Sequence, residues 1–224
     1  MPKHMQNAME NLQRKVLFLC ALVEGNLQRA VESVEKRDGQ LAARVIAADN
    51  EVDRVEVDIE EECLKMLALY QPVAADLRFI VAVIKLNSDL ERIGDQAVDI
   101  AEQSSYLAER EPIAVPAGIH AMGDKAAWMV KSVLDALVER DAELARRVCA
   151  ADDELDALKR DMLLRIEEAI AKNPDNLDLY FHLLTVPRKL ERIGDHATNI
   201  AEDVIYMVEG SIVRHLPCDE NQPG

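Results

Sequence analysis

Residues 91–102 read ERIGDQAVDIAE, and residues 191–202 read ERIGDHATNIAE. Nine of these twelve positions are identical at an ungapped offset of 100. A second pair, AADNEVD at 47–53 and AADDELD at 150–156, recurs at an offset of 103. Two blocks repeating at nearly one spacing mean that a whole unit of roughly 100 residues was copied.

Outward from these blocks, apolar residues recur at helical spacing. Val16, Cys20, Val23, Leu27, Ala30 and Val34 step by four and three, a coiled-coil-like seam. Lys36-Arg37-Asp38-Gly39 closes that helix, and Asp38 is placed to cap the next one. The second helix carries Leu41, Val45, Ala48, Val52, Val55, Ile59 and Cys63, and Pro72 ends it. A third helix runs from about Ala74 to Arg110, with no internal proline. Helix four reaches Glu139, helix five spans Asp141 to Lys172, and Asn173-Pro174-Asp175 forms a turn. Helix six is expected to stop at Gly210 and to be interrupted or kinked at Pro187. The expected fold is therefore all-α, two tandem three-helix bundles with six helices in all. The first bundle covers 1–111 and the second 118–210. Residues 112–117 make a linker and 211–224 a loosely ordered tail.

Composition agrees with this class. Hydrophobic residues make up 49% of the chain and aromatics only 4%, so the core is built from Ala, Leu, Val and Ile, as in helix bundles. The net charge of −16 repels nucleic-acid phosphates and anionic lipid, and it attracts cations or basic protein surfaces. DNA binding is not expected on that ground. Cys20 and Cys63 fall on apolar stripes, where a thiol packs as a small core residue, and no CxxC spacing occurs. Nothing demands that Cys149 and Cys218 pair. The first fifteen residues lack the apolar segment of a signal peptide. The longest apolar run, Val16 to Val23, is far shorter than the ~20 residues that span a bilayer. A cytoplasmic setting without a transmembrane segment is expected.

The chemistry lies in the acidic residues. Glu91 and Asp95 are four apart and share a helix face, which Asp99 and Glu102 extend. The opposite face carries Leu86, Leu90, Ile93, Ala97, Ile100 and Leu107, so a solvated acidic side on an amphipathic helix is one reading. Three features bear on it. The acidic stripe continues one that is apolar upstream, through Leu77, Val81 and Ile84, and in the second copy through Leu177, Phe181 and Leu184. Such a stripe is expected to begin in the core. Next, Asp53 lies 19 residues before Pro72 and Glu91 lies 19 after it, while Asp49 and Asp95 are each 23 away. In an antiparallel hairpin these four carboxylates sit at one height. Finally, Asp152, Asp156, Glu191 and Asp195 repeat the arrangement about Pro174. Facing carboxylates repel unless cations, protons or arginines hold them. An internal salt-bridge network through Arg92 and Arg192 is one solution, and a metal ion is the other. All-oxygen ligands select Mg, Mn, Ca or oxidised Fe. No Glu-x-x-His of the ferritin-like kind occurs, and His196, whose counterpart is Gln96, is read as incidental.

With these residues in place, the chain resembles the phosphate-uptake regulator family, PhoU. The likeness rests on the doubled Glu-Arg-Ile-Gly-Asp, on Gln71-Pro72-Val73-Ala74-Ala75-Asp76-Leu77-Arg78 and on Arg44-Val45-Ile46, and it extends from about Gln6 to His215. It implies a cytoplasmic, non-enzymatic accessory protein, usually a homodimer. Such a protein links the ATPase of a phosphate-specific ABC transporter to a sensor histidine kinase, and represses the phosphate-starvation response when phosphate is plentiful. It also implies metal on Asp49, Asp53, Glu91, Asp95 and Asp99 in the first copy. In the second copy the matching set is Asp152, Asp156, Glu191, Asp195 and Asn199. Because Asn199 stands where the first copy has Asp99, a smaller or weaker metal cluster is expected in the second repeat. The alternative from another class is a carboxylate-bridged metalloenzyme on a helical bundle, against which the missing Glu-x-x-His and missing paired base argue.

Overall fold

The computed structural model describes residues 3–113 and 118–210, and all regular structure among them is helical. Most of the expected linker and the whole of the expected tail lie outside the described residues, as does Cys218. The helices are α1 (Lys3–Lys36), α2 (Gly39–Tyr70), α3 (Ala74–Ala108), α4 (Ile119–Glu139), α5 (Ala142–Lys172) and α6 (Leu177–Glu209). A short 3-10 turn at Pro174–Asn176 precedes α6.

Helix ends follow local chemistry, and they follow it twice. Asp38 accepts hydrogen bonds from the backbone N–H of Gln40 and Leu41, each at 3.0 Å, and so satisfies donors that the first turn of α2 leaves free. Asp141, its counterpart at the 103 offset, accepts from Leu144 N–H at 2.9 Å at the start of α5. Arg37 and Arg140 precede these caps with φ of 52° and 54°, so both copies turn through the left-handed region without glycine. At the end of α6, Gly210 takes φ 76° and its N–H bonds to Tyr206 O at 2.9 Å, the expected glycine stop.

Pro187 does not interrupt α6: the helix is continuous through it, and the proline is buried. Proline removes one helical hydrogen bond. Leu183, Val186 and Leu190 on the same helix are buried as well.

Within each repeat the helices pack up-down-up, but the repeats are not separate bodies. The buried side chains form one cluster that runs from Leu19, Leu27 and Ile59 through Ile93 and Ile193 to Val130 and Ile166. α3 lies against α6 as extensively as the hairpin partners lie against each other, and α1 touches α4. The α3–α6 pairing is antiparallel. Lys85 bonds Asp203, Asp89 faces Asn199, Asp99 bonds Lys189, and Tyr106 bonds Asp178. Since 89 and 189 are equivalent positions, as are 99 and 199, the Asp89–Asn199 and Asp99–Lys189 contacts are one contact seen twice. The duplication thus packs about an approximate twofold axis, with α2 and α5 on opposite flanks.

The α1–α4 contact depends on Gly123. A Cβ there would stand 2.5 Å from Val31 Cγ1 and 3.0 Å from Cγ2, and a β-branched neighbour has little rotamer freedom to withdraw. Gly123→Ala should therefore destabilise by about 1–2 kcal/mol, although Ala is ordinarily the better helix former. Gly25→Ala in α1, whose nearest contact would be Arg29 at 3.4 Å, should have the opposite sign. Urea denaturation of the two variants checks this.

Candidate metal centre

The α2–α3 hairpin brings Asp49, Asp53, Glu91 and Asp95 together at one height, as the distances from Pro72 require. Asp49 is pushed up from 3.8 to about 6, first by burial and then by repulsion from Asp53, Asp95 and Glu91. Burial, followed by repulsion from Asp95, also raises Glu91, with Glu56 and Asp53 adding to it and Arg92 opposing. The second hairpin assembles the equivalent set. Asp195 is raised to about 6, first by burial and then by Glu191 and Asp152, and Asp152 is raised first by burial and then by Asp156. These shifts are the electrostatic signature of like charges sharing a half-dry face.

The close approach is made by glycine. A Cβ on Gly94 would lie 3.2 Å from Val52 Cγ1 and 3.3 Å from Asp49 Oδ1. On Gly194 it would lie 2.4 Å from Leu155 Cδ2 and 3.5 Å from Asp152 Oδ1. Each Glu-Arg-Ile-Gly-Asp glycine thus lets an aspartate of the neighbouring helix settle over the backbone, beside Glu91/Asp95 or Glu191/Asp195.

Asp99 and Asn199 are not brought to these faces. Asp99 turns across the repeat boundary to Lys189, and Asn199 Nδ2 donates to Asp89 Oδ1 at 3.3 Å. One further turn along α3 or α6 rotates the side chain from the hairpin toward the α3–α6 seam. His196 also belongs to the seam, with Nδ1 2.8 Å from Asp89 Oδ1. The apolar stripe upstream does not begin in the core: Leu77, Leu177 and Phe181 are exposed, and Val81 and Ile84 are half-buried. The carboxylates sit at the border of the packed interface.

Of the two arginines expected to neutralise the sets, Arg192 is exposed and Arg92 acts weakly. Arg92 reaches Glu91 at 3.6 Å and Asp95 at 3.7 Å, with its own side chain 60% exposed. Two residues outside the expected set matter more. In repeat one Glu56 joins the carboxylates, with its Oε1 held by Asn87 Nδ2 at 2.9 Å. In repeat two Lys159 Nζ lies 3.0 Å from Asp156 Oδ1 and 2.6 Å from Glu191 Oε1. Carrying the 103 offset through α2 and α5 pairs Glu56 with Lys159, a signal present in the sequence.

Comparison with known proteins matches this doubled architecture. The PhoU domain family model matches the chain twice, over residues 16–104 and 119–204. The chain belongs to the PhoU family. A phosphate-specific transport system accessory protein PhoU homolog of Aquifex aeolicus is 39% identical over 92% of this chain and 94% of its own length. Its counterpart in Pseudomonas putida is 36% identical over 93% of this chain and 82% of its own. The crystal structure of PhoU from Pseudomonas aeruginosa superposes with a TM-score of 0.87 at 35% identity, covering 92% of this chain and 99% of that one.

The residues of both PhoU domains suit a hard cation in donor chemistry, being carboxylate oxygens alone, and in the glycine cradle that seats Asp49 and Asp152. Among the described residues, no three carboxylate, imidazole or thiol groups already stand close enough to enclose an ion. The side chains form an open face, and ligation would require them to swing inward.

Raised carboxylates carry a pH consequence. Asp49 ionises near 3.8 in the unfolded chain and near 6 in the folded one, so between these values the folded state binds more protons. Its contribution is intact below pH 4 and is lost as pH rises through 6. In metal-free protein at pH 7, Asp49→Asn should stabilise by on the order of 1 kcal/mol, reduced from the full shift by solvent screening. At pH 4 the gain should vanish, which thermal denaturation at the two pH values measures. Asp195, raised to about 6 by the same leading cause, should show an effect in the same direction.

Proposed function

We propose that this chain is a non-enzymatic regulator of phosphate uptake and of the phosphate-starvation response. It would link the ATPase of a phosphate-specific ABC transporter to a sensor histidine kinase, and hold the response off while phosphate is plentiful. The observation that carries this reading is the match of both halves to PhoU domains, together with full-length likeness to proteins named phosphate-specific transport system accessory proteins.

The physical character of the molecule is consistent with an adaptor. Its helices present extended charged faces, and its acidity suits docking against basic surfaces. Among the described residues no helix is long and apolar enough to cross a membrane, so contact with a transporter or kinase would be made from outside the bilayer. We place the protein in the cytoplasm, acting as a homodimer. A divalent or trivalent metal (Fe, Mn, Mg or Ca) would be held by Asp49, Asp53, Glu91 and Asp95, with Asp152, Asp156, Glu191 and Asp195 as the related set. Asp99 and Asn199 are left to the repeat boundary. No specific feature of the geometry favours the metalloenzyme alternative.

Deleting the gene and growing the strain in phosphate-rich medium tests the function. Phosphatase expression should become constitutive, and the intact gene supplied in trans should restore repression. An unchanged phosphate response in the deletion strain would overturn the proposal.

A further inference from the structure

Although Asp49, Asp53, Glu91 and Asp95 are matched one for one by Asp152, Asp156, Glu191 and Asp195, the two repeats are neutralised differently. Lys159 extends from α5 between Asp156 and Glu191, with its ammonium 3.0 and 2.6 Å from their oxygens. Arg160 adds a second cation at 3.6 Å from Asp156 Oδ2. At the 103 offset, repeat one has Glu56 and Val57 in these places. Glu56 is fixed by Asn87, which donates to both the backbone carbonyl and the side chain of Glu56 at 2.9 Å. The counterpart of Asn87 on α6 is Pro187, which has no side-chain donor. A swap at one position is thus accompanied by a swap at its partner. Repeat one gathers a fifth carboxylate and a device to aim it, and repeat two loses both and receives a built-in cation.

We propose that Lys159 is a tethered counter-ion occupying the carboxylate face of repeat two, so that metal is taken up at repeat one, where Glu56 completes the ligand set. The inference rests on the metal-binding reading above. An ammonium bonded to two of four carboxylates both neutralises the charge that would attract a divalent ion and blocks two of its oxygens. Ligand charge and number set the affinity of oxygen sites for hard cations, so exchanging one lysine for one carboxylate should change affinity strongly.

The test is titration of metal-free protein with Mn(II), with free ion followed by its paramagnetic resonance signal, and circular dichroism melts to confirm that each variant is folded. Wild type should show one class of tight site, abolished by Asp49→Asn/Asp95→Asn and unaffected by Asp152→Asn/Asp195→Asn. Lys159→Glu should create a second class of site, within about tenfold of the first. The converse variant, Glu56→Lys, should weaken the first site by at least about tenfold and raise the melting temperature of the metal-free protein. Tight Mn(II) binding at both repeats in wild type, or a stoichiometry unmoved by Lys159→Glu, would overturn the inference while leaving the metal-binding reading intact. Failure of wild type and Lys159→Glu alike to bind Mn(II) would overturn both.

Discussion

The antiparallel seam between α3 and α6 is the contact on which the rest of this structure depends. Each of these helices packs against its hairpin partner, α2 or α5, against α1 or α4 of its own repeat, and against its own duplicate. Ile93, Ala97 and Ile100 are buried, as are Ile193, Ala197 and Ile200. Small residues let the backbones approach, and aliphatic ones fill the space between. Without the seam each three-helix repeat would expose a large apolar surface. The polar fringe of the seam, with Asp99 to Lys189 and Asp89 to His196 and Asn199, sets the register of one repeat against the other.

With both central helices committed to the interior, the hairpin borders are the places left for charge. Glycines 94 and 194 draw the outer helices close, and the border carboxylates are crowded as a result. Burial first, and then crowding, raises the affinity of Asp49 for protons, and the crowded charge also readies it to accept a cation. Proton, lysine and metal ion are alternative answers to one repulsion. The second repeat answers it in part with Lys159. In the first, Arg92 stays in solvent and Glu56 adds to the charge.

Much of this was legible in the chain. The duplication, the helix ends at Asp38, Asp141 and Gly210, and the common height of Asp49, Asp53, Glu91 and Asp95 all follow from local chemistry and from counting residues about a turn. Three features of the structure depart from a reading taken along the chain. Asp99 lies two turns beyond Glu91 on nearly the same stripe, yet the slow drift of a 3.6-residue helix carries it from the hairpin to the seam. Leu77 and Phe181 were expected in the core because their stripe is apolar, and they lie exposed among the described residues. Pro187 was expected to interrupt or kink α6, and the helix runs on through it.

The sequence by itself determined the repeat, the six helices and the family, because periodicity, capping and spacing are properties of a chain read in order. Only the tertiary structure decided that the two repeats share one core and that Asp99 and Asn199 serve their boundary. It also decided that Lys159 closes on one carboxylate face while Glu56 enlarges the other. Those outcomes depend on which surfaces meet when two copies of one helix pack against each other, and no single stretch of sequence contains that pairing.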